Sequence, residues 1–126
     1  MITQALSFLL SGMQFWKNRE KDTVAERRLR ESAIGTVMEA ALQTKAYRYN
    51  LDNGAEPNRD KEEKLSTLWR EAGYAISQYD NQLFDSGRLK ALGWADPREW
   101  HRVKGREWVI DLDKIIEQCD WLRRNG

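Results

Sequence analysis

The sequence predicts an all-α protein: an up-down helical bundle of three main helices plus an apolar N-terminal helix, giving a three- or four-helix bundle. Two observations carry this prediction. In several long segments the large apolar residues recur at spacings of three and four, which places them on one side of an α-helix. No segment sustains the two-residue alternation of a half-buried strand, so we predict no sheet.

Composition favours one folded domain spanning residues 1–126. Hydrophobic residues are 40% and charged residues 33% of the chain, and the formal net charge is +1. A disordered chain combines low hydrophobicity with a large net charge, and this chain also contains six tryptophans. The small net charge disfavours a protein whose main task is to neutralise nucleic-acid phosphates. We predict that the local cluster Arg27, Arg28 and Arg30 is a solvated helix face.

The most hydrophobic segment, residues 1–16, is predicted to form the apolar N-terminal helix, which ends at about residue 17. It lacks the basic start and small-residue cleavage site of a signal peptide, and it is shorter than the ~20 apolar residues that span a bilayer. We predict that it docks onto the protein's own core or onto another copy. The alternative is an amphipathic helix lying on a membrane surface. The candidate oligomer or membrane face consists of Ile2, Leu6, Leu9, Leu10, Met13 and Trp16.

A second helix is predicted from about Thr23 to Leu51. Thr23 and Glu26 have the spacing of a capping box, which would place the break from the first helix at residues 18–22. Without that cap, one long helix would run through both segments. The predicted core stripe of the second helix includes Leu29, Ala33, Ile34, Val37, Met38, Ala41, Leu42 and Tyr47.

The sequence DNGAEPN, residues 52–58, is the clearest turn in the chain. Its Asn-Gly pair permits the left-handed backbone that ends a helix, and its proline cannot continue one. Asn58 or Asp60 is predicted to cap a central helix that runs from Asp60 to Leu83. Because the connection is short, the two helices are predicted to be antiparallel neighbours. The stripe of the central helix consists of Leu65, Leu68, Trp69, Ala72, Ala75, Ile76, Tyr79 and Leu83.

The pattern loosens after the central helix. A short helix is predicted from Phe84 to Gly93, and Asp96 with Pro97 has the residue types that begin another brief helix. A last helix is predicted from about Glu107 to Arg124. Its stripe consists of Trp108, Leu112, Ile115, Ile116, Cys119 and Leu122.

The single cysteine, Cys119, excludes an intramolecular disulfide and fits a cytoplasmic location. Its place in the stripe of the last helix predicts a small buried hydrophobe rather than a reactive thiol.

No catalytic, cofactor-binding or metal-binding residue is predicted. His101 is the sole histidine, so a metal site built on Glu-x-x-His pairs from two helices cannot form. The sequence has no Gly-rich phosphate-binding loop of the Walker or dinucleotide type. We therefore favour a non-enzymatic protein without a cofactor.

Tryptophan and arginine concentrate in an irregular segment, residues 94–106. These residue types dominate the energetics of protein interfaces, so the segment is a candidate interaction surface. Two alternatives stay open: the tryptophans plug the end of the bundle, or the patch stacks and pairs with single-stranded nucleic acid. The candidate residues are Trp94, Arg98, Trp100, His101, Arg102 and Arg106.

One run of residues carries a resemblance to known proteins. Its shared elements are Arg59, Glu62-Glu63, Leu65-Ser66, Leu68-Trp69, Trp94-Ala95-Asp96-Pro97 and Trp100. This run resembles small uncharacterised bacterial all-helical proteins and covers about a third of the chain. The resemblance implies a bacterial cytosolic helical protein, and it implies no activity, cofactor or site.

The leading hypothesis is a helical protein-protein interaction module that self-associates, so that its partner is another copy of the chain. One alternative is a peripheral membrane protein that binds through residues 1–17. The other is a nucleic-acid-binding protein that uses residues 94–106, which the near-zero net charge disfavours.

Overall fold

The computed structural model describes residues 23–100 and 112–125 of the chain. These ranges contain four α-helices and one 3-10 turn, and no strand occurs in them. The helices are α1, Val24–Asp52; α2, Arg59–Ile76; α3, Asn81–Ala95; and α4, Leu112–Asn125, with the 3-10 turn Pro97–Glu99 following α3. The predicted all-α class is confirmed for these ranges. The predicted N-terminal helix of residues 1–17 lies outside the described residues.

The helix α1 begins at the capping box that the sequence predicts. The Glu26 N–H donates to Thr23 Oγ1 at 3.1 Å, and the Thr23 N–H donates to Glu26 Oε2 at 3.4 Å. The first backbone N–H groups of a helix have no acceptor within the helix, and these two bonds supply acceptors for two such groups. The predicted break at residues 18–22 itself falls outside the described residues.

The connection from α1 to α2 is the turn that the sequence predicts. Gly54 has a φ of +96°, a left-handed conformation that favours glycine. Asn58 then caps α2, because its side chain accepts a hydrogen bond from the Lys61 N–H at 3.0 Å.

The two helices joined by this turn are antiparallel, as predicted. Near the turn, the Tyr47 hydroxyl contacts Glu62, and farther from the turn the indole N–H of Trp69 donates to Thr44 Oγ1 at 2.8 Å. Residue numbers thus fall along α1 as they rise along α2. The Thr44–Trp69 bond is buried, so it satisfies the polar atom of a large core side chain.

The predicted central helix from Asp60 to Leu83 is wrong at its C-terminal end. The helix α2 stops at Ile76, and α3 starts at Asn81 after a short turn. Asp80 is the cap of α3, since its Oδ1 accepts from the N–H groups of Gln82 at 2.9 Å and Leu83 at 3.0 Å. A carboxylate at this position stabilises the start of a new helix, and the apolar spacing does not reveal it.

The predicted stripe of this region is nonetheless turned inward. The chain reverses direction at residues 77–80, and Tyr79 and Leu83 return to the core after the reversal. Because α3 extends over Asn81–Ala95, it is longer than the short helix predicted from Phe84 to Gly93. The buried stripe residues are Leu65, Trp69, Ala72, Ile76, Tyr79 and Leu83, with Leu68 and Ala75 partly buried.

The core lies where α2 and α4 pack against α1, and its most enclosed side chains include Trp69, Ile76, Ile115 and Leu122. An ion pair of 2.7 Å between Lys45 Nζ and Asp113 Oδ1 joins the start of α4 to the C-terminal half of α1. Residues 107–111, where the sequence predicts the first turn of the last helix, lie outside the described residues.

Cys119 is fully enclosed in this core, as the sequence predicts. Burial, with a smaller contribution from nearby carboxylates, raises the pKa of its thiol to about 12. The thiol is therefore protonated at neutral pH and is a poor nucleophile.

Three expectations for side chains of α1 are wrong. Arg30 is only 2% exposed, because it stands four residues before the core residue Ile34 on the same side of the helix. Leu42 is 48% exposed, because it follows the core residue Ala41 by one position and so points about 100° away from it. Leu29 is 63% exposed, because it lies before Arg30, the first buried residue of α1, at the end of the bundle. Arg27 and Arg28 are exposed as predicted.

Candidate interaction surfaces

One end of the bundle is held together by side chains that we call the aromatic clasp, namely Tyr47, Arg59, Glu62, Trp94 and Trp100. The guanidinium of Arg59 donates from Nη1 to the carbonyl oxygen of Trp94 at 2.8 Å and from Nη2 to that of Ala95. These carbonyls form the C-terminal end of α3, where a cation is favoured by the helix dipole. Arg59 therefore fastens the start of α2 to the end of α3.

Tyr47 fastens α1 to the same end. Its hydroxyl donates to Glu62 Oε2 at 2.7 Å and accepts from the Asn58 N–H at 2.9 Å. Burial raises the pKa of the Tyr47 hydroxyl, and the hydrogen bond and negative charge of Glu62 act in the same direction. The hydroxyl thus keeps the proton that it donates to Glu62 Oε2.

The predicted site residues Trp94 and Trp100 belong to the clasp. The two indole rings meet edge to face at 5.1 Å between centroids, and Trp94 meets the ring of Tyr47 at 5.6 Å. Trp100 also covers Gly93, where an added Cβ would lie 2.5 Å from the indole ring. Both tryptophans are partly buried and pack against the bundle end.

The predicted site residue Arg98 lies beside the clasp and is 90% exposed. Its guanidinium donates to both carboxylate oxygens of Asp96 with bonds of 3.0 Å, and this hydrogen bonding lowers the pKa of the Asp96 carboxyl. An incoming phosphate would therefore compete with Asp96 for Arg98. His101, Arg102 and Arg106 lie outside the described residues, so the assignment of residues 94–106 as a binding patch stays a prediction.

A second surface, which the sequence reasoning missed, is a groove between α2 and α3 with a volume of about 280 Å³. We call it the α2–α3 groove. Its walls are Ser66, Arg70, Gly73 and Tyr74 from α2, and Phe84, Arg88, Ala91, Leu92 and Ala95 from α3.

The α2–α3 groove exposes large apolar side chains. Tyr74 is 71% exposed and Leu92 is 37% exposed, and the ring of Tyr74 lies 6.5 Å from that of Phe84. Single exposed apolar residues are ordinary, but an apolar cluster lining one depression is a candidate interaction site. The only sequence signal for it is that Tyr74 is an aromatic residue off the core stripe of its helix.

A third surface consists of the cap residue Thr23 and the start of α1, residues 23–29, which we call the α1 overhang. Every residue in it is exposed, and the first buried residue of α1 is Arg30. Leu29 is aligned along α1 with Ala33, Ala40 and Tyr47, at spacings of 4, 11 and 18 residues, and those three are buried. Leu29 thus faces the side of α1 that is buried elsewhere.

The described residues contain neither a metal-ligand cluster nor a membrane-spanning helix. Within residues 23–100 and 112–125, no group of three or more His, Cys, Asp or Glu side chains is arranged to hold a metal ion. None of the described helices combines the length and apolarity needed to cross a bilayer.

The chain matches no family model, no curated protein and no solved structure. Its function must be inferred from its surfaces.

Proposed function

We propose that this protein is a non-enzymatic helical interaction module that self-associates through the apolar face of residues 1–17 together with the α1 overhang. The observation that carries the proposal is Leu29. This residue lies on the side of α1 that is buried elsewhere, yet it is 63% exposed. It lies 13 residues after the end of the most hydrophobic segment of the sequence, residues 1–16.

The α1 overhang extends past the part of α1 that the other described helices cover. Its six helical residues correspond to about 9 Å of helix at 1.5 Å per residue, and no residue of the overhang is buried. In a twofold dimer, the overhangs of two copies meet as identical surfaces, and each apolar residue contributes twice. Full burial of one leucine side chain stabilises an interface by about 1.5–3 kcal/mol.

The experiment is molar mass by light scattering over a range of concentrations, with the full-length chain and two single variants. We expect the wild-type protein to form a dimer or larger species and Leu29→Glu to shift it toward monomer. The matched control is Leu42→Glu, which places the same charge at another exposed leucine of the same helix. It should leave the mass unchanged.

A second pair of variants tests residues 1–17. We expect Leu6→Glu with Leu10→Glu to abolish association, because both lie on the predicted apolar face. Gln4→Glu with Ser11→Glu changes two polar positions of the same segment and should have no effect. A wild-type monomer at every concentration would refute the proposal. If that monomer floated with anionic liposomes, the segment would act on membranes instead.

A further inference from the structure

We propose that the α2–α3 groove is a second docking site, and that its occupant is an amphipathic helix of a partner protein whose apolar face is flanked by carboxylates. This site is separate from the self-association surface. It rests on three properties of the groove: its length, its apolar floor and its two arginines.

The length of the groove suits a short helical segment. The α2 wall runs from Ser66 to Tyr74, which is about 12 Å at 1.5 Å per residue, and the α3 wall from Phe84 to Ala95 is about 16 Å. Two antiparallel helices with such a depression between them accept the apolar face of a third helix. A helix of two to three turns would enter with side chains at three- and four-residue spacing.

The floor of the groove is shaped by a close approach of the two helices. An added Cβ at Gly87 would lie 3.0 Å from the carbonyl oxygen of Trp69 and 3.2 Å from Gly73 Cα, so the two backbones nearly touch. Gly73 and Ala91, whose side chains are absent or small, line the groove beside this contact. Tyr74 and Phe84 close one end of the floor with aromatic rings.

The charged residues that line the groove are all basic. Arg70 and Arg88 line opposite walls, and none of the lining residues is Asp or Glu. Arg70 precedes Gly73 by three positions and Arg88 follows Gly87 by one. Since these glycines face each other and the helices are antiparallel, the two arginines differ in height by only about 3 Å.

Both arginines are available to a ligand. Within the part of the chain that the structure describes, Arg70 forms no ion pair. Arg88 has one long contact of 3.7 Å to Asp85, and the side chains of Arg88 and Asp85 are both nearly half exposed. Such surface pairs contribute little, so Arg88 can exchange Asp85 for a better-placed carboxylate.

The charge also decides between occupants. The apolar segment at the start of this chain has no Asp or Glu before Glu20, whereas it has Lys17 and Arg19. That segment offers the two arginines no carboxylate and adds positive charge beside them. A helix of a different protein, with acidic residues beside its apolar stripe, matches both features of the groove.

The test uses the full-length protein and two labelled helical peptides, read by fluorescence anisotropy. Each peptide has leucines at three- and four-residue spacing in an alanine background. One has glutamates flanking the leucine stripe, and the other has lysines at the same positions. We expect the glutamate peptide to bind at least about tenfold more tightly, a free-energy difference of about 1.4 kcal/mol, and to weaken with added salt.

The double variant Arg70→Glu with Arg88→Glu should reverse this preference, so that the lysine peptide binds more tightly. The control is Arg48→Glu with Arg124→Glu, which reverses the same number of charges at exposed positions outside the groove. It should retain the preference for glutamate. Circular dichroism verifies that each variant is folded.

A third labelled peptide reproduces residues 1–17 of this chain. Three outcomes would overturn the proposal: equal binding of the glutamate and lysine peptides, an unchanged preference in the Arg70 and Arg88 variant, or stronger binding of the peptide of residues 1–17. The last outcome would make the groove a seat for this chain's own N-terminal segment. The two proposals can fail separately. In light scattering, the Arg70 and Arg88 variant should keep the wild-type mass. In the anisotropy assay, Leu29→Glu should keep the preference for the glutamate peptide.

Discussion

The contact between α2 and α3 at Gly87 allows a test by a single methyl group. Replacing Gly87 with alanine places a Cβ 3.0 Å from the carbonyl oxygen of Trp69, 3.2 Å from Gly73 Cα and 3.3 Å from Gly73 N. All three are backbone atoms, so no side chain can rotate away. Gly35→Ala is the matched control, because a Cβ at this glycine of α1 meets nothing within 4 Å.

The two substitutions should change stability in opposite directions. Alanine in place of glycine in a helix interior is favourable by roughly 0.5–1 kcal/mol, and Gly35→Ala should retain this gain in full. Overpacking a close contact costs typically about 1–3 kcal/mol. At Gly87 the two effects combine to a net loss of about 1 kcal/mol. The variants should therefore differ by nearly 2 kcal/mol.

The assay is urea unfolding followed by circular dichroism, at one protein concentration because the proposed self-association would contribute to apparent stability. With a slope of about 2 kcal/mol per molar urea, the midpoint should rise by about 0.4 M for Gly35→Ala and fall by about 0.5 M for Gly87→Ala. Equal stabilisation by both alanines would refute the close approach of α2 and α3, and with it the floor of the α2–α3 groove.

Two further predictions concern buried titratable groups. Burial raises the pKa of Asp80 above its ordinary value of 3.8, so the folded state binds this proton more tightly than the unfolded state does. The contribution of Asp80 to stability therefore falls as pH rises through the interval above 3.8. Asp80→Asn keeps an oxygen for the cap but cannot ionise, so its stability relative to wild type should increase between pH 4 and pH 7 in urea unfolding. For Cys119, whose pKa is raised to about 12, we expect no reaction with dithionitrobenzoate in the folded protein at pH 8 and full reaction in urea.

Each of these predictions has an outcome that contradicts it. For Asp80, Asp113→Asn is a control of opposite sign, because the hydrogen bond from Lys45 lowers the pKa of Asp113. Stability gained from that carboxylate is present above pH 3.8 and is lost on acidification below it, so the unfolding series for this control extends below pH 3.8. The same pH trend in the Asp80 and Asp113 variants would contradict the assignment of opposite pKa shifts to these carboxyls. Rapid modification of Cys119 in the folded protein would show that the core around it opens readily.

The parts of the fold that the sequence predicts correctly are those set by nearby residues. The capping box of Thr23 and Glu26 and the turn at residues 52–58 each depend on a few adjacent side chains and backbone angles. The end of the central helix fails because two local signals compete there. The apolar spacing continues through residues 77–80, whereas Asp80 begins a new helix, and the spacing alone gives no reason to prefer the cap.

The interaction surfaces are harder to predict because they depend on how helices pack. The α2–α3 groove requires the register in which Gly73 meets Gly87, and no periodicity within one helix encodes that register. Similarly, Leu29 matches the core pattern of α1, and its exposure follows from where the neighbouring helices end. Sequence patterns identify which side of a helix is apolar, but they do not identify what covers it.

Several residues between Arg59 and Trp100 that the sequence analysis singles out join the helices to one another. Arg59 binds the end of α3, and Ser66 donates to the carbonyl oxygen of Ala91 at 2.7 Å. Trp69 and Trp94 pack in the core and in the aromatic clasp. The structure therefore gives these residues a role in packing the helices together.

The aromatic clasp also affects which parts of the molecule open by local fluctuation. The last turn of a helix usually frays, because its carbonyls lack partners within the helix. At the end of α3, however, opening must break the bonds from Arg59, which is itself held by Glu62. At the opposite end of the bundle, in the described part of α1, residues 23–29 are all exposed and are not covered by another described helix. Amide hydrogens should therefore exchange slowly with solvent at the clasp and quickly in the α1 overhang, so the free protein is most easily remodelled at the end where a second copy would bind.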